Sequence, residues 1–404
     1  MFTGDVLLAT LYFALAVCAA GLVVWVSLTH RLIRGILASP KLPDSGHVWG
    51  TVDAVVAMRN ESANVLGCVE TLLSQRGVGK VIIVDDHSDD GTAELARSLA
   101  ASQERVTVVS LEGEEQRGKA DACWAGAKLS DAEWLLFVDA DTRLKEGAVE
   151  GALGLALSRG VDALSILGSL RCSSSLGESF TALNVGLLNA FATLEDVNNS
   201  VKRLAYFAGS FVLTRRSKYV GLGGHSAVRG EIVEDKALAE LYKKNGFRIL
   251  LCYAPHAVST AWGGGKGDGL VASMVREITP SMVSAGTFKS AVFSIGMSVL
   301  HLTPYLGLIL GFIAPKPLDT VFLSCGATTL LVVLLFEALS LRTTGGRIRA
   351  LPTYFAAFPL QIASFWVGVY KAWRGKPVKW RGRLYQPQPQ KARPPAVYTK
   401  INEN

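Results

Sequence analysis

The chain has 404 residues, half of them hydrophobic and only 19% charged, with a net charge of +7. This is too long for one small domain, and the apolar balance is that of a membrane protein with an inserted globular part. The basic excess lies beside the oily segments and in the tail, with no basic helix carrying interleaved aromatics, so the partner it suits is a membrane surface and not nucleic acid.

Val6 to Leu28 is an almost unbroken apolar stretch, and at about 1.5 Å per helical residue its length crosses a bilayer. No basic residue precedes it, unlike the charged start of a signal peptide. Arg31, Arg34 and Lys41 follow, which by the positive-inside rule places the N-terminus outside and the next domain in the cytoplasm. The expected divisions are a membrane helix over 1–30, a linker over 31–49 with Pro40 and Pro43, and a globular domain over 50–265. The six cysteines are scattered without a Cys-x-x-Cys pair and read as free thiols in a reducing compartment.

Val52 to Met58 predicts a buried strand, broken by Arg59-Asn60-Glu61-Ser62, with Ser62 capping a helix that runs to about Gln75. Lys80 to Val84 predicts a second strand ending in Asp85-Asp86-His87-Ser88-Asp89-Asp90-Gly91, and a helix starts near Thr92. Val106 to Val109 is a third strand, Gly113 to Gly118 a polar loop, and Lys119 to Leu129 a helix. The apolar run Trp134 to Val138 is a fourth strand that stops at Asp139-Ala140-Asp141. Strands alternating with helices of this length predict a mainly parallel, Rossmann-like α/β sheet. No Gly-x-Gly-x-x-Gly fingerprint occurs, which argues against a dinucleotide cofactor. Further on, Leu204 to Thr214 and Phe247 to Tyr253 predict strands, Gly221 to His225 a turn, and Glu231 to Lys244 acids opening a helix.

The rest is oily again. Gly263 to Gly269 predicts a flexible loop, and the mildly amphipathic Leu270 to Met282 an interfacial stretch within 266–289. Ala291 to Ala314, Leu318 to Leu341 and Leu351 to Tyr370 form a membrane region over 290–370, and 371–404 is a basic tail. Four spans would leave that tail outside, against the positive-inside rule. Either the last stretch, interrupted by Pro352 and Pro359, is re-entrant and the tail cytoplasmic, or the charge rule fails here.

Four polar clusters fall where a nucleotide-sugar site needs them. Ligands of open α/β sheets bind outside the carboxyl ends of the strands. Asp85 and Asp86 stand at such an end, where a carboxylate accepts the imide N–H of a uracil ring; the plainer reading is a turn and capping cluster. Arg117 and Lys119 precede a helix and suit a diphosphate. Asp139 and Asp141 offer oxygens to a hard cation, Mg²⁺ or Mn²⁺. Glu234-Asp235 at a helix start offers a general base, although acids in a first helical turn also suit the macrodipole.

Ala57-Met58-Arg59-Asn60-Glu61, Val84 to Thr92, Asp139-Ala140-Asp141 and Glu234-Asp235, in that order, resemble the motifs of family 2 glycosyltransferases with a GT-A fold. The resemblance implies a GT-A domain plus transmembrane α-helices. It implies nucleotide contacts from Ala57, Arg59, Glu61 and Asp86, donor and metal contacts from Asp139 and Asp141, and Lys119 near the donor phosphates. Asp235 is the implied base, with Glu234 beside it. Gly118 to Ala127, Gly223-Gly224-His225 and Trp380 to Arg383 are similar to the membrane glycosyltransferases of carotenoid (diaponeurosporenoate-type) and hopanoid-associated pathways. That likeness implies a UDP-sugar donor and a terpenoid or other lipid acceptor, with His225 and Arg276 as acceptor contacts. The Gln-x-x-Arg-Trp of processive synthases is absent; the nearest piece is Met274-Val275-Arg276-Glu277. The expected activity is transfer of one sugar to a lipid hydroxyl or carboxyl, inverting and metal-dependent. The alternatives are a polyisoprenyl-phosphate acceptor, or a non-catalytic membrane protein that binds the donor.

Overall fold

The computed structural model describes residues 2–43, 50–112, 118–231, 233–262, 279, 282, 285–376, 378–380 and 383–385. In chain order, α1 is Phe2–Leu37, β1 Val52–Met58, α2 Val65–Leu73, β2 Val78–Asp85, α3 Thr92–Ser102, β3 Val106–Ser110, α4 Lys119–Ala127 and β4 Trp134–Val138. Next come β5 Thr142–Leu144, α5 Ala148–Arg159, β6 Ala163–Leu167, β7 Ser169–Arg171, α6 Ser175–Phe191, α7 Leu194–Asn198, β8 Phe211–Arg215 and α8 Arg216–Gly221. They are followed by α9 Glu234–Lys244, β9 Ile249–Tyr253, β10 Val258–Ala261, α10 Thr287–Ile313, α11 Leu318–Thr343 and α12 Tyr354–Trp373. Short strands β11 Val378–Trp380 and β12 Arg383–Tyr385 close the described chain.

The main sheet has the order β3-β2-β1-β4-β8-β6-β9. Its pairs are parallel except where β8 runs antiparallel to both β4 and β6. β4 is Trp-Leu-Leu-Phe-Val and wholly buried, as a central strand covered on both faces must be. One face of the sheet packs Ala54, Val56, Ile83 and Leu136 against Val65, Val69, Leu153 and Ala156 of α2 and α5. The other packs Val55, Ile82 and Phe137 against Ala122 and Cys123 of α4 and Leu238 and Tyr242 of α9. A small second sheet, β5-β10-β7, lies just past the end of β4.

Among the described residues, three helices are long and apolar enough to cross a membrane: Asp5–Leu37, Thr287–Ile313 and Leu318–Thr343. Their contact uses shape. Gly307 and Gly326 leave no room for a side chain between α10 and α11, the small-residue contact that lets membrane helices approach closely. A shared core joins Trp25 and Leu32 of α1, Met297 of α10, Phe336 of α11, Tyr354 of α12 and Phe180, Leu183 and Leu187 of α6. Thus α6, an excursion of the globular domain capped by Ser174, is part of the bundle core.

Several expectations are corrected. The linker over 31–49 is helical as far as Leu37. Arg31 donates from Nε to Ala190 O at 2.6 Å and Arg34 pairs with Glu195 at 2.8 Å, so these basic side chains bind the domain and carry the helix onward. The strand expected from Leu204 begins only at Phe211, because Ser165 Oγ bonds both the N–H and the carbonyl of Ala208 and holds that stretch in a bend. The helix expected from Ser62 starts at Val65, after a turn in which the Asn64 and Val65 N–H groups both donate to Glu61 O. The last apolar stretch is a 3₁₀ turn over Ile348–Thr353 followed by α12, which is not among the candidate spans. Arg117, Arg276 and the segment 263–278 lie outside the described residues.

Candidate active site

The parallel strands β2, β1 and β4 are adjacent, so their carboxyl ends share one edge of the sheet. Register pairs Ala57 with Val84 and Met58 with Asp85. Beyond them, Asp86 N–H donates to Met58 O at 2.8 Å, and Arg59 Nη1 donates to Asp86 O at 3.1 Å. Arg59 Nε is buried and has no hydrogen-bond partner among the described residues. Glu61 N–H donates to Thr92 Oγ1 at 2.8 Å, and Glu61 Oε2 accepts from Asn64 Nδ2 at 2.8 Å. Asn60 N–H to Ser88 Oγ and Asp89 N–H to Asn60 Oδ1, both 3.0 Å, tie the two loops together. Asn60 and His87 have φ of 55° and 59°, a region L-residues adopt mainly where short polar side chains bond locally. Ala57, Arg59, Glu61 and Asp86 therefore lie together at the carboxyl ends of β1 and β2. Asp89 and Asp90 belong to the cross-linked turns, as the plainer reading of that cluster holds.

A second cluster stands at the end of β4. Lys119 Nζ lies 2.8 Å from Asp139 Oδ1, 3.1 Å from Glu234 Oε1 and 3.7 Å from Asp235 Oδ2. Four residues called from three separate motifs are thus brought together. Lys119 is the first residue of α4, an end whose dipole repels a cation, whereas Glu234 and Asp235 occupy the first turn of α9, where it favours anions. Burial opposes the charge of Lys119, but Asp139, Asp235 and Glu234 outweigh it and hold its pKa well above that of ordinary lysine. Burial lifts the Asp235 carboxyl to about 8; Lys119 opposes this, while Glu234 and Asp139 add to it.

Asp141 stands across the turn. Its carbonyl accepts from Ala261 N–H at 3.3 Å and from Arg171 Nη2 at 2.9 Å. Arg143 Nη1 donates to the carbonyls of Ala140 and Thr142, and its Nη2 to Asn64 Oδ1. Two arginines thus brace the backbone of the acidic turn. Sequence reasoning missed both. Arg143 lies two residues past the motif and was open to notice, but Arg171 arrives from β7 and left no local signal. Gly209 was missed as well: a Cβ there would overlap the Asp235 carboxylate. The small Ala208-Gly209-Ser210 run just before β8 is the trace it leaves in the sequence.

His225 is placed differently from the acceptor contact expected of it. It is only 2% exposed. Its Nδ1 lies 2.7 Å from Tyr219 Oη, and its ring meets Phe137 edge-on at 4.8 Å. Burial, with Lys119 adding to it, pulls its pKa down to about 3, so the ring is neutral and structural.

Comparison with known proteins agrees with this geometry. Residues 53–221 match the family model of glycosyl transferase family 2. The chain carries a family 2 glycosyltransferase domain. Over 200 residues it is 29% identical to 4,4'-diaponeurosporenoate glycosyltransferase of Staphylococcus aureus strain USA300, covering 48% of this chain and 52% of that protein. The protein of strain Newman gives the same figures. The chain thus spans about half the length of the curated relatives it matches. Among solved structures it resembles the mannosyltransferase PcManGT of Pyrobaculum calidifontis, solved with GDP-Man and Mn²⁺. That likeness has a TM-score of 0.51 at 18% identity and covers 90% of this chain and 98% of the other. It establishes the GT-A fold.

Proposed function

We propose that the protein transfers one sugar from a nucleotide-sugar donor, a UDP-sugar, to a hydroxyl or carboxyl of a lipid acceptor at the membrane surface, with inversion. The observation that carries this reading is the meeting of Lys119, Asp139, Glu234 and Asp235 at the sheet edge where Ala57, Arg59, Glu61 and Asp86 also stand. The lipid acceptor is supported by the carotenoid glycosyltransferase relative and by the helix bundle built around α6.

In this reading Asp86 and Glu61 accept from the base and ribose, and Arg59, with its open Nε, faces the same nucleotide. Lys119 stands at the donor diphosphate. The acceptor oxygen attacks the anomeric carbon, the bond from that carbon to the diphosphate breaks, and Asp235 takes the proton of an acceptor hydroxyl. Glu234 keeps the surroundings of Asp235 anionic and shares Lys119 with it. One base and one displacement invert the anomeric centre. Asp139 and Asp141 fit a divalent ion, Mg²⁺ or Mn²⁺, as hard oxygen donors on one braced turn. Among the described residues no group of three or more His, Cys, Asp or Glu side chains gathers to hold a metal alone, which suits an ion whose remaining ligands are donor phosphates and water. Such an ion would neutralise the departing diphosphate.

We also place the domain on the cytoplasmic side of a multi-pass protein in the cell membrane, with divisions as read from the sequence except that α1 runs on to Leu37. Arg31 and Arg34 at the domain end of α1 support this. The start of α12 is tied to the domain through Thr353 Oγ1 to Ser175 O at 3.0 Å. Its other end packs Gly368 against Met282 and Thr279, in the stretch leading from the domain into α10. Both ends on the domain side support a re-entrant α12 and a cytoplasmic tail.

The test is nucleotide-sugar turnover by detergent-solubilised full-length protein, with and without Mn²⁺ and lipid extract, against Asp235→Ala. Metal- and lipid-dependent transfer that vanishes in the variant is expected, and mass spectrometry of the product identifies the acceptor. Donor binding with no transfer to any lipid, unchanged in the variant, would defeat the enzymatic reading.

A further inference from the structure

Lys119 makes closer contact with the carboxylates than a phosphate-binding lysine waiting for its ligand requires. Its Nζ touches Asp139 from the end of β4 and Glu234 from α9 at 2.8 and 3.1 Å, with Asp235 at 3.7 Å. Its place at the first position of α4 is electrostatically unfavourable for a cation, so the carboxylates hold it there against the helix. Without it, the carboxyl groups of Asp139, Glu234 and Asp235 would share a half-buried space with no cation among them, an arrangement that repels itself. Lys119 is 33% exposed in its side chain and sits on a long, rotatable stem. Its ammonium can therefore swing within the cleft without disturbing α4. The pairing with Asp139 matters most, because Asp139 is also the residue that a donor-bound ion would use.

We propose that Lys119 is an internal stand-in for the divalent cation: in the free enzyme its ammonium holds Asp139 and the Glu234-Asp235 pair together and excludes the metal until a nucleotide diphosphate draws Lys119 away. This inference rests on the donor and metal reading above and adds an order to it. Metal alone binds poorly, nucleotide and metal enter together, and Asp235 is released from Lys119 only once the donor is seated. A free enzyme with a preloaded metal, exposed to water at its carboxylates, is thereby avoided. Arg143 and Arg171 do not share the role, since their contacts in the turn are carbonyls and not the Asp139 carboxylate.

The probe is Mn²⁺ alone, then Mn²⁺ with UDP or GDP, titrated into the detergent-solubilised full chain while free Mn²⁺ is read by its paramagnetic resonance signal. Wild type should bind Mn²⁺ alone weakly and bind it at least roughly tenfold tighter with nucleotide, because a cation within 4 Å of the ligand set is displaced. Lys119→Met should bind Mn²⁺ alone roughly tenfold tighter than wild type and lose most of the further gain from nucleotide. Lys119→Arg retains the charge and should keep the metal out as wild type does, which covers the case in which the methionine variant folds poorly. If wild type takes up Mn²⁺ equally with and without nucleotide, or if Lys119→Met gains nothing while nucleotide still binds, the stand-in role is wrong and the donor reading survives. If neither Mn²⁺ nor nucleotide binds any form, both fall together.

Discussion

At the sheet edge each charged side chain of the cluster answers another, across elements far apart in the chain: Lys119 meets Asp139 and the Glu234-Asp235 pair. In the helix bundle the contacts are mostly of shape, such as Gly307 against Gly326 and Trp25 edge-on to Phe336 at 5.4 Å. The first region holds groups in opposition that folding alone would avoid, including a cation at a helix N-terminus and a carboxyl burdened by burial. The second ties hydroxyls such as those of Ser340 and Ser364 to carbonyls one turn back in their own helices, and sets a smaller number of polar groups, Ser179 and Glu337 among them, between helices. Function and stability should therefore separate on mutation: changes at the edge should cost rate, and changes in the bundle should cost stability.

The largest separation is expected at Asp235. Asp235→Asn should lower transfer by roughly a hundred- to ten-thousandfold, the range for removing a general base, with no loss in the thermal midpoint. A matching loss of stability and rate would break the contrast. The same residue gives a pH test. Its folded pKa of about 8 means that the base is protonated below that value, so kcat/KM should fall about tenfold per pH unit on the acid side. For stability the sign is opposite. Between an ordinary carboxyl value and about 8 the native state holds a proton that the unfolded chain has lost, so this group makes the protein less stable as pH rises. Asp235→Asn should remove that slope.

Gly209 sharpens the same comparison with no change of charge. In Gly209→Ala the added methyl overlaps the Asp235 carboxylate and should move it from its place beside Lys119. Transfer should drop by roughly ten- to a hundredfold, the scale of a small misplacement of a reacting group, while expression and unfolding stay close to wild type. A variant with full activity would show that the position of Asp235 is not what limits the rate.

How much of this was legible in the sequence follows the same division. The four strands through Val138, and the acids at the ends of β2 and β4, were readable because buried strands are continuous apolar runs and their termini are abrupt. Lys119, Asp139, Glu234 and Asp235 were each named, yet their closure around one ammonium was not, since no local pattern encodes contact between β4, α4 and α9. Gly209 and Arg171 act through backbone approach and a carbonyl, and such contacts leave only faint marks in composition. The region from α5 to α7 was unread: α6 is apolar enough to be core, too short to span a membrane, and its partners lie more than a hundred residues away in both directions. His225 shows the reverse error. A histidine after a double glycine in a turn was read as an acceptor contact, but Tyr219 Oη receives the His225 N–H at 3.1 Å, and the ring is buried in the core.

On the stability side, Ser179 is the sharper probe. Its Oγ donates to Glu337 Oε1 at 2.5 Å, joining α6 of the domain to α11 of the bundle. Both residues are fully buried, and Glu337 Oε2 has no hydrogen-bond partner among the described residues. Ser179→Ala would remove this bond from a buried carboxyl group, at a cost of about 1–3 kcal/mol, read as a lower unfolding temperature in detergent. Transfer per folded molecule should be unchanged, because the bond lies in the bundle and touches no group of the edge cluster.

The smallest effect, and the strictest test of the division, is expected at Arg31. Its guanidinium donates to the carbonyls of Ala190 and Phe191, the last residues of α6, at 2.6 and 3.2 Å, and lies 3.5 Å from Asp196. A cation suits the C-terminus of a helix, where carbonyls are left without partners. The side chain is 42% exposed, so solvent screens much of that attraction. Arg31→Ala should therefore cost only about 1 kcal/mol. Arg31→Lys keeps the charge but loses the forked donor and should fall between the two. Neither should alter kcat. If Arg31→Ala lowers kcat with little loss of stability, α6 must do more than join domain to bundle, and the line between the two regions would have to be drawn further into the helices.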